Sequence, residues 1–362
     1  MRATSIAALA VSLPFALSAQ DGNTQIKNEI ERLERSIKTK PIASPDMPKA
    51  NSVVEDALKG ASESLRAGRV YVALERLGQA HDFLGGARAV VEKGKVVGGG
   101  LSAFETEWTK ANLALTALDK EARSRSWTRS PAALRALSEV AQGRSLPLLE
   151  GGRGFALATG PRDGLFYMGE AQGEADFAKF CAGLMLTRKG PAFPSRSMLP
   201  ELLALQEKVN AAFQPPRSIE QHPRFISLNA AIKAGRELDA EKSYSGSLYQ
   251  YLEAVRHYGM LDEPTLDAAR QEKLKKSLAD ARIKIESSAQ DDSIARLFVE
   301  RAESYVTAHL DGTAATADEW RAARIIADRV LPAYYATLNA PATLPQKPGK
   351  TVDITLVRWP YT

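Results

Sequence analysis

Apolar residues recur at steps of three and four along most of this chain, which is the spacing of one face of an α-helix. The stripe is clearest in five segments: 50–65, 73–91, 101–118, 165–185 and 320–338. Glycine and proline clusters separate such segments, as in KGKVVGGGL at 93–101, where three adjacent glycines do not hold a helix interior. The pattern therefore predicts an all-α protein, either an irregular helical-hairpin array or a multi-helix bundle.

The N-terminal end departs from the helical pattern. Residues 1–19 place one early cation, Arg2, before an apolar run over 6–17 and small residues at 18–19. This order is that of a secretory signal peptide, and the run is shorter than the ~20 apolar residues of a membrane-spanning helix. We expect bacterial export, cleavage near Ala19 and a periplasmic or secreted mature protein with no transmembrane segment.

The C-terminal end, 341–362, reads as a proline-rich connector and a short extended tail. TVDITLVRWPY at 351–361 alternates apolar and polar residues, as a strand does. Apolar surface left in water promotes aggregation, so we expect the tail to dock on the helical body with Trp359 as an anchor. The alternative is a free tail that adds a strand to a partner's sheet. Between the two ends we expect an N-terminal helix and linker at 20–48 and a helical body at 49–340.

One segment has the spacing of a known helical hairpin. Gly68 lies in a bend, and Ala73, Leu77 and Ala80 follow it at five, nine and twelve positions. This resembles the second helix of tetratricopeptide-type repeats, most clearly over 50–91, where small residues let two helices approach. No regular period of about 34 residues continues along the chain. The resemblance implies a scaffold that binds a partner protein or peptide, with no catalytic residues to transfer.

Composition excludes several kinds of chemistry. The single cysteine, Cys181, permits neither an intramolecular disulfide nor an all-cysteine metal site, and its apolar neighbours predict a buried thiol. A net charge of +5, without runs of adjacent cations, does not indicate a nucleic-acid partner. PGKT at 348–351 lacks the first glycine of a phosphate-binding loop. Glu253 and His257 lie one helical turn apart but lack a second histidine ligand, so we expect no metal and no cofactor.

Two local patterns supply candidate ligand-binding residues. Glu170 and Glu174 lie one turn apart in GEAQGEADF, where small residues leave space for a ligand, although solvent-facing glutamates explain the same pattern. Tyr251 and Tyr258 belong to an aromatic stripe that forms either core or a groove for a peptide or glycan.

The leading interpretation is an exported helical scaffold that binds a partner protein or peptide of the cell envelope. The alternative is an envelope enzyme, or a small-ligand or glycan-binding protein, with an acidic site around Glu170 and Glu174. A deep pocket with convergent charged groups favours this alternative, and a long open groove favours the scaffold.

Overall fold

The chain is all-α in the computed structural model, which describes residues 21–44, 47–95, 97–124, 126–192, 195–212, 221–261, 266–307 and 312–339. Within these ranges every regular element is a helix, so the predicted fold class is confirmed. The α-helices are α1 Gly22–Thr39, α2 Ala50–Arg66, α3 Val70–Lys93, α4 Leu101–Arg123, α5 Ala132–Ala158, α6 Pro161–Gly183, α7 Leu199–Ala212, α8 His222–Ala240, α9 Tyr244–Gly259, α10 Ala268–Glu286, α11 Ser293–Val306, α12 Ala317–Ile325 and α13 Leu331–Asn339. A 3₁₀ turn, Val97–Gly99, precedes α4, and a π-helical segment, Ile326–Val330, joins α12 to α13.

Two of the sequence predictions fall on other parts of the chain. The signal peptide expected at 1–19 and the connector and tail expected at 341–362 lie outside the described residues. Among the helices that are described, none combines the length and the apolar character needed to cross a membrane.

Three long helices form the centre of the fold. α6 packs against α3 on one side and against α5 on the other, and α2 pairs with α3. The main core runs from α1 to α13, with Leu77, Leu134 and Phe298 fully buried. Two smaller clusters flank it, one joining α4 to α5 and α6, the other joining α7, α8 and α9. The hydrophobic stripes therefore meet in one continuous body.

α2 and α3 pack against each other as a helical hairpin. Gly68 lies in the bend with φ +70°, a left-handed conformation that favours glycine. Ala73, Leu77 and Ala80 are fully buried. The three residues of the predicted spacing therefore take core positions.

Small residues of α6 serve packing rather than ligand space. A Cβ at Gly169 would collide with the carbonyl oxygen of Gly85 on α3 and approach the Cβ of Ala89 to 2.6 Å. A Cβ at Gly173 would likewise collide with the carbonyl oxygen of His81. The glycines of GEAQG allow α3 and α6 to cross backbone against backbone, so the space expected there for a ligand is filled by α3.

Buried carboxylates from distant parts of the chain cap the first turns of several helices. Asp291 accepts a hydrogen bond from the Ala132 amide of α5 at 2.7 Å, and Glu300 accepts one from the Tyr71 amide of α3 at 2.7 Å. Glu139 does the same for the Gly246 amide of α9, also at 2.7 Å. Helix N-termini have unpaired amides and a partial positive charge, so each carboxylate stabilises the helix that it caps and joins it to another helix.

Two prolines lie within long helical stretches. The sequence predicts that Pro147 lies in the first turn of a short helix, but it lies inside the long helix α5. Packing on both sides, with Ser145 and Leu149 buried, holds the helix together across the lost hydrogen bond. Pro332 lies in the first turn of α13, and only Leu331 separates it from the π-helical segment Ile326–Val330. A π-helical turn shifts the backbone hydrogen bonds by one residue, and here it does so just before Pro332, which has no amide hydrogen to donate.

Candidate functional site

The candidate site is a polar groove of about 370 Å³ where five helices converge. We call it the central groove, and its walls are Val72, Glu75, Arg76, Gly78, Gln79 and Asp82 of α3, Leu137, Val140, Ala141 and Arg144 of α5, Glu174 and Phe177 of α6, Tyr249, Glu253 and Arg256 of α9, and Arg301, Ser304 and Tyr305 of α11. Four carboxyl groups and four arginines are among them. Convergent groups of both signs suit a polar ligand with charges of both signs.

One end of the central groove is built around Arg144. Its Nη1 lies 2.7 Å from Oε1 of Glu174, and its Nη2 lies 4.0 Å from Oδ2 of Asp82. Glu174 is only 4% exposed, whereas the Arg144 side chain is 53% exposed. Carboxyl groups on α6 and α3 thus face each other across one half-exposed guanidinium.

Burial dominates the protonation of these carboxyls. It raises the pKa of Glu174 to about 8, although the positive charge of Arg144 lowers it and those of Asp82 and Glu170 raise it further. Burial and the charge of Asp82 raise the pKa of Glu170 to about 7. Because Arg144 is half exposed, water screens its charge, and the ion pair does not offset the desolvation of Glu174. Glu174 at this end of the groove, and Glu170 one turn away on α6, therefore both have a pKa near neutral pH.

The other end of the central groove is a buried ion-pair network centred on Arg301. Its guanidinium contacts the carboxylates of both Glu75 and Glu253, and Nη2 also lies 2.6 Å from the Tyr249 hydroxyl. Arg256 donates two hydrogen bonds to Oε2 of Glu253, at 3.0 Å and 2.8 Å. Although burial opposes it, the two arginines lower the pKa of Glu253 to about 2. The network joins α3, α9 and α11 and holds their charged side chains in place at this end of the groove.

The sequence-predicted residues are only partly brought together. Glu174 lies in the wall of the central groove, and Glu170 lies one turn away, close enough to be influenced by Asp82. Tyr251 and Tyr258 lie on α9 but pack against the α7–α8–α9 cluster, and burial raises the pKa of Tyr251. Tyr249 of the same helix lines the groove instead.

His81 and Cys181 take core positions, and His257 is partly buried. His81 is buried, with Nε2 3.0 Å from Oε1 of Glu29, and its ring lies against Phe177 and Phe180. Burial and Arg256 lower the pKa of His257 to about 4. Cys181 is fully buried, as predicted, and burial raises the pKa of its thiol. The described part of the chain contains no group of three potential metal ligands.

Sequence reasoning missed most of the groove. Arg144 appears in the sequence only as one of several scattered cations, and Arg301 lies 48 positions from Glu253. The one local indication is the spacing of Glu253 and Arg256, which are three apart and pair on one face of α9. The other partners meet only through helix packing.

Comparison of the chain with protein-family models, with curated proteins and with solved structures finds no match.

The raised pKa of Glu174 predicts a specific pH dependence of stability. Its folded-state pKa lies above its ordinary value of 4.5, so the folded state retains a proton that the unfolded state has released. Stability should therefore fall as pH rises from about 4.5 to about 8. Glu174→Gln should flatten this decline by up to ~1 kcal/mol per pH unit in urea unfolding between pH 5 and 8.5.

An exposed carboxylate supplies the control for this measurement. Glu31 pairs with Lys27 at the surface, 3.8 Å away, and Glu31→Gln should leave the pH profile as in the wild type. Identical slopes for wild type and Glu174→Gln would show that Glu174 is ionised throughout this range.

Proposed function

We propose that the protein is an exported helical scaffold that binds a peptide segment of a cell-envelope partner in the central groove. The observation behind this proposal is the convergence of four carboxyl groups and four arginines from five helices on one cavity. A peptide backbone with charged side chains offers hydrogen-bond donors, acceptors and charges of both signs. Phe177, Tyr249 and Tyr305 add apolar ring surface for its side chains.

Arg144 is the groove residue best placed to meet a ligand. Its side chain is half exposed, while its partner Glu174 is buried. An arginine in this position offers several donors in a planar fork to a carboxylate or a peptide carbonyl. The network around Arg301 is internally paired and acts as a rigid wall.

A panel of fluorescein-labelled hexapeptides with one acidic and one basic side chain tests the proposal by fluorescence anisotropy. We expect a subset to bind, and Arg144→Ala to weaken their binding about tenfold, which corresponds to ~1.4 kcal/mol. The matched control is Arg153→Ala, because Arg153 also pairs with a glutamate, Glu105, at 2.9 Å but lies outside the groove. Absence of peptide binding by the wild type, or equal losses in both variants, would contradict the proposal.

The second candidate function is an envelope enzyme, or a small-ligand or glycan-binding protein. The observation that favours it is a carboxyl group with raised pKa, Glu174, facing a second carboxyl group, Asp82, from another helix. Glycoside hydrolysis uses a protonated and an ionised carboxyl on opposite sides of a sugar. Binding or cleavage of oligosaccharides by the wild type, lost in Glu174→Gln, would favour this function over peptide binding.

Export is part of the proposal and rests on residues 1–19. Fused to a reporter enzyme that is active only outside the cytoplasm, this segment should give an active reporter in a bacterial host. Replacing two residues of its apolar run, Leu9 and Val11, by Asp should abolish the activity. An inactive wild-type fusion would contradict export.

A further inference from the structure

Two of the four arginines in the central groove have guanidinium groups available to a ligand. Arg76 is exposed and donates a hydrogen bond to Gln79 at 3.2 Å, and no carboxylate of the described residues pairs with it. Arg144 is half exposed, and within the described part of the chain its Nη2 makes no hydrogen bond, because Asp82 lies 4.0 Å away. The other two arginines belong to the ion-pair network at the far end of the groove.

The carboxyl group in contact with Arg144 is that of Glu174, and its surroundings disfavour the ionised form. Burial raises the pKa of Glu174 to about 8, although the charge of Arg144 opposes this shift. Asp82 of α3 and Glu170 of α6 add negative charge near it, and the neighbouring thiol of Cys181 is buried and neutral. The charged groups of α9 and α11 pair with one another or with α3 at the far end. At neutral pH Glu174 therefore holds a proton.

The charges of the central groove do not balance while Glu174 is protonated. Four arginines and four carboxyl groups line the groove, so a neutral Glu174 leaves at most three carboxylates to face four guanidinium groups. One carboxylate on a ligand balances this excess. A lysine side chain in the same place would instead meet Arg76 and Arg144, the two arginines without a buried ion pair to neutralise them.

We propose that the peptide bound in the central groove presents a carboxylate to Arg144, and that Glu174 takes up a proton from solvent as this carboxylate binds. The inference rests on the proposed peptide binding and adds the charge of the ligand and its control by pH. An ionised Glu174 competes with the ligand for the same guanidinium, whereas a protonated Glu174 is neutral and leaves the positive charge to the ligand. The planar fork of an arginine matches a carboxylate in geometry. No covalent bond of the ligand changes.

Isothermal titration calorimetry with a matched pair of peptides tests the charge of the ligand. The tightest-binding hexapeptide of the panel, capped at both termini, is compared at pH 7 with the same peptide carrying glutamine in place of its acidic residue. We expect the glutamine peptide to bind about tenfold more weakly. Arg144→Gln should remove this difference, and the control Arg153→Gln, which alters an arginine outside the groove, should keep it.

The same calorimetry in two buffers of different ionisation enthalpy counts the protons taken up, and it needs no variant. At pH 8, where about half of the Glu174 carboxyls are ionised, the wild type should take up about half a proton with the acidic peptide. Affinity should fall about tenfold between pH 7 and pH 9, because the bound state holds a proton that the free state has released. Glu174→Gln should abolish both the uptake and the decline, since glutamine does not ionise.

The outcomes separate this inference from peptide binding itself. Equal binding of the acidic and glutamine peptides leaves the proposed function intact and overturns only the carboxylate at Arg144. No proton uptake by the wild type at pH 8, or uptake that survives Glu174→Gln but is lost in Glu170→Gln, would overturn the role of Glu174. Failure of every peptide in the panel to bind would overturn the proposed function and this inference with it.

Discussion

Replacing Gly169 by alanine should lower the free energy of unfolding by about 2–3 kcal/mol. The added methyl group would collide with the Gly85 carbonyl and lie 2.6 Å from the Ala89 Cβ, so the backbones of α3 and α6 must move apart. Alanine has a higher helix propensity than glycine by about 1 kcal/mol, which partly offsets the cost of the collision. The expected loss of about 2–3 kcal/mol is the net value. Urea unfolding followed by circular dichroism measures it.

Gly151 supplies the matched control. It lies inside α5, and a Cβ built there meets no atom within 4 Å. Gly151→Ala should therefore stabilise the protein by about 0.5–1 kcal/mol through helix propensity alone. If Gly169→Ala were stabilising too, the close crossing of α3 and α6 would be wrong.

Replacing Arg301 by methionine should destabilise the protein by about 3–5 kcal/mol. Methionine keeps much of the volume but leaves the largely buried carboxylates of Glu75 and Glu253 without the guanidinium that joins them. Tyr249 also loses a hydrogen-bond partner. Arg256 still contacts Glu253 in this variant. Glu75 therefore loses more of its ion pairing than Glu253 does.

The deficit of Arg301→Met should depend on pH in a defined direction. Although burial opposes it, Arg301 and Arg256 together hold the pKa of Glu253 at about 2, so the stabilisation from its ionised carboxylate is lost as pH falls from about 4.5 toward 2, and the deficit should shrink over this range. The control is Arg153→Met, because Arg153 is exposed and its partner Glu105 is partly exposed, so little stability should be lost. Equal losses in both variants would mean that the Arg301 network contributes no more than a surface ion pair.

The helices are the part of the structure that the sequence predicts well. Their apolar stripes depend on the spacing of residues close together in the chain, and the buried positions Leu58, Leu77 and Phe104 follow directly from it. The exceptions are prolines. Pro147 marks a helix start by local rules, yet α5 continues through it because packing on both sides outweighs one lost hydrogen bond.

The central groove is harder to predict, because its residues have no shared local pattern. Glu174 was selected for its small neighbours, but those glycines serve the crossing with α3 rather than a ligand. Its burial and its contact with Arg144 depend on how α5 and α6 pack. The sequence correctly places Tyr251 and Tyr258 on one helix. Which side of α9 faces the central groove, however, depends on the helices that pack against it.

The sequence by itself determines that this protein is helical, because helix periodicity and loop residues are local properties. It also determines that Cys181 has no partner cysteine in the same chain. Only the tertiary structure decides which helices cross at glycines and which carboxylates become buried. Glu300 caps α3 and Glu139 caps α9 across 229 and 107 positions, respectively. Contacts over such separations depend on the packing of the whole chain, and the same packing raises the pKa of Glu174 and lowers that of Glu253.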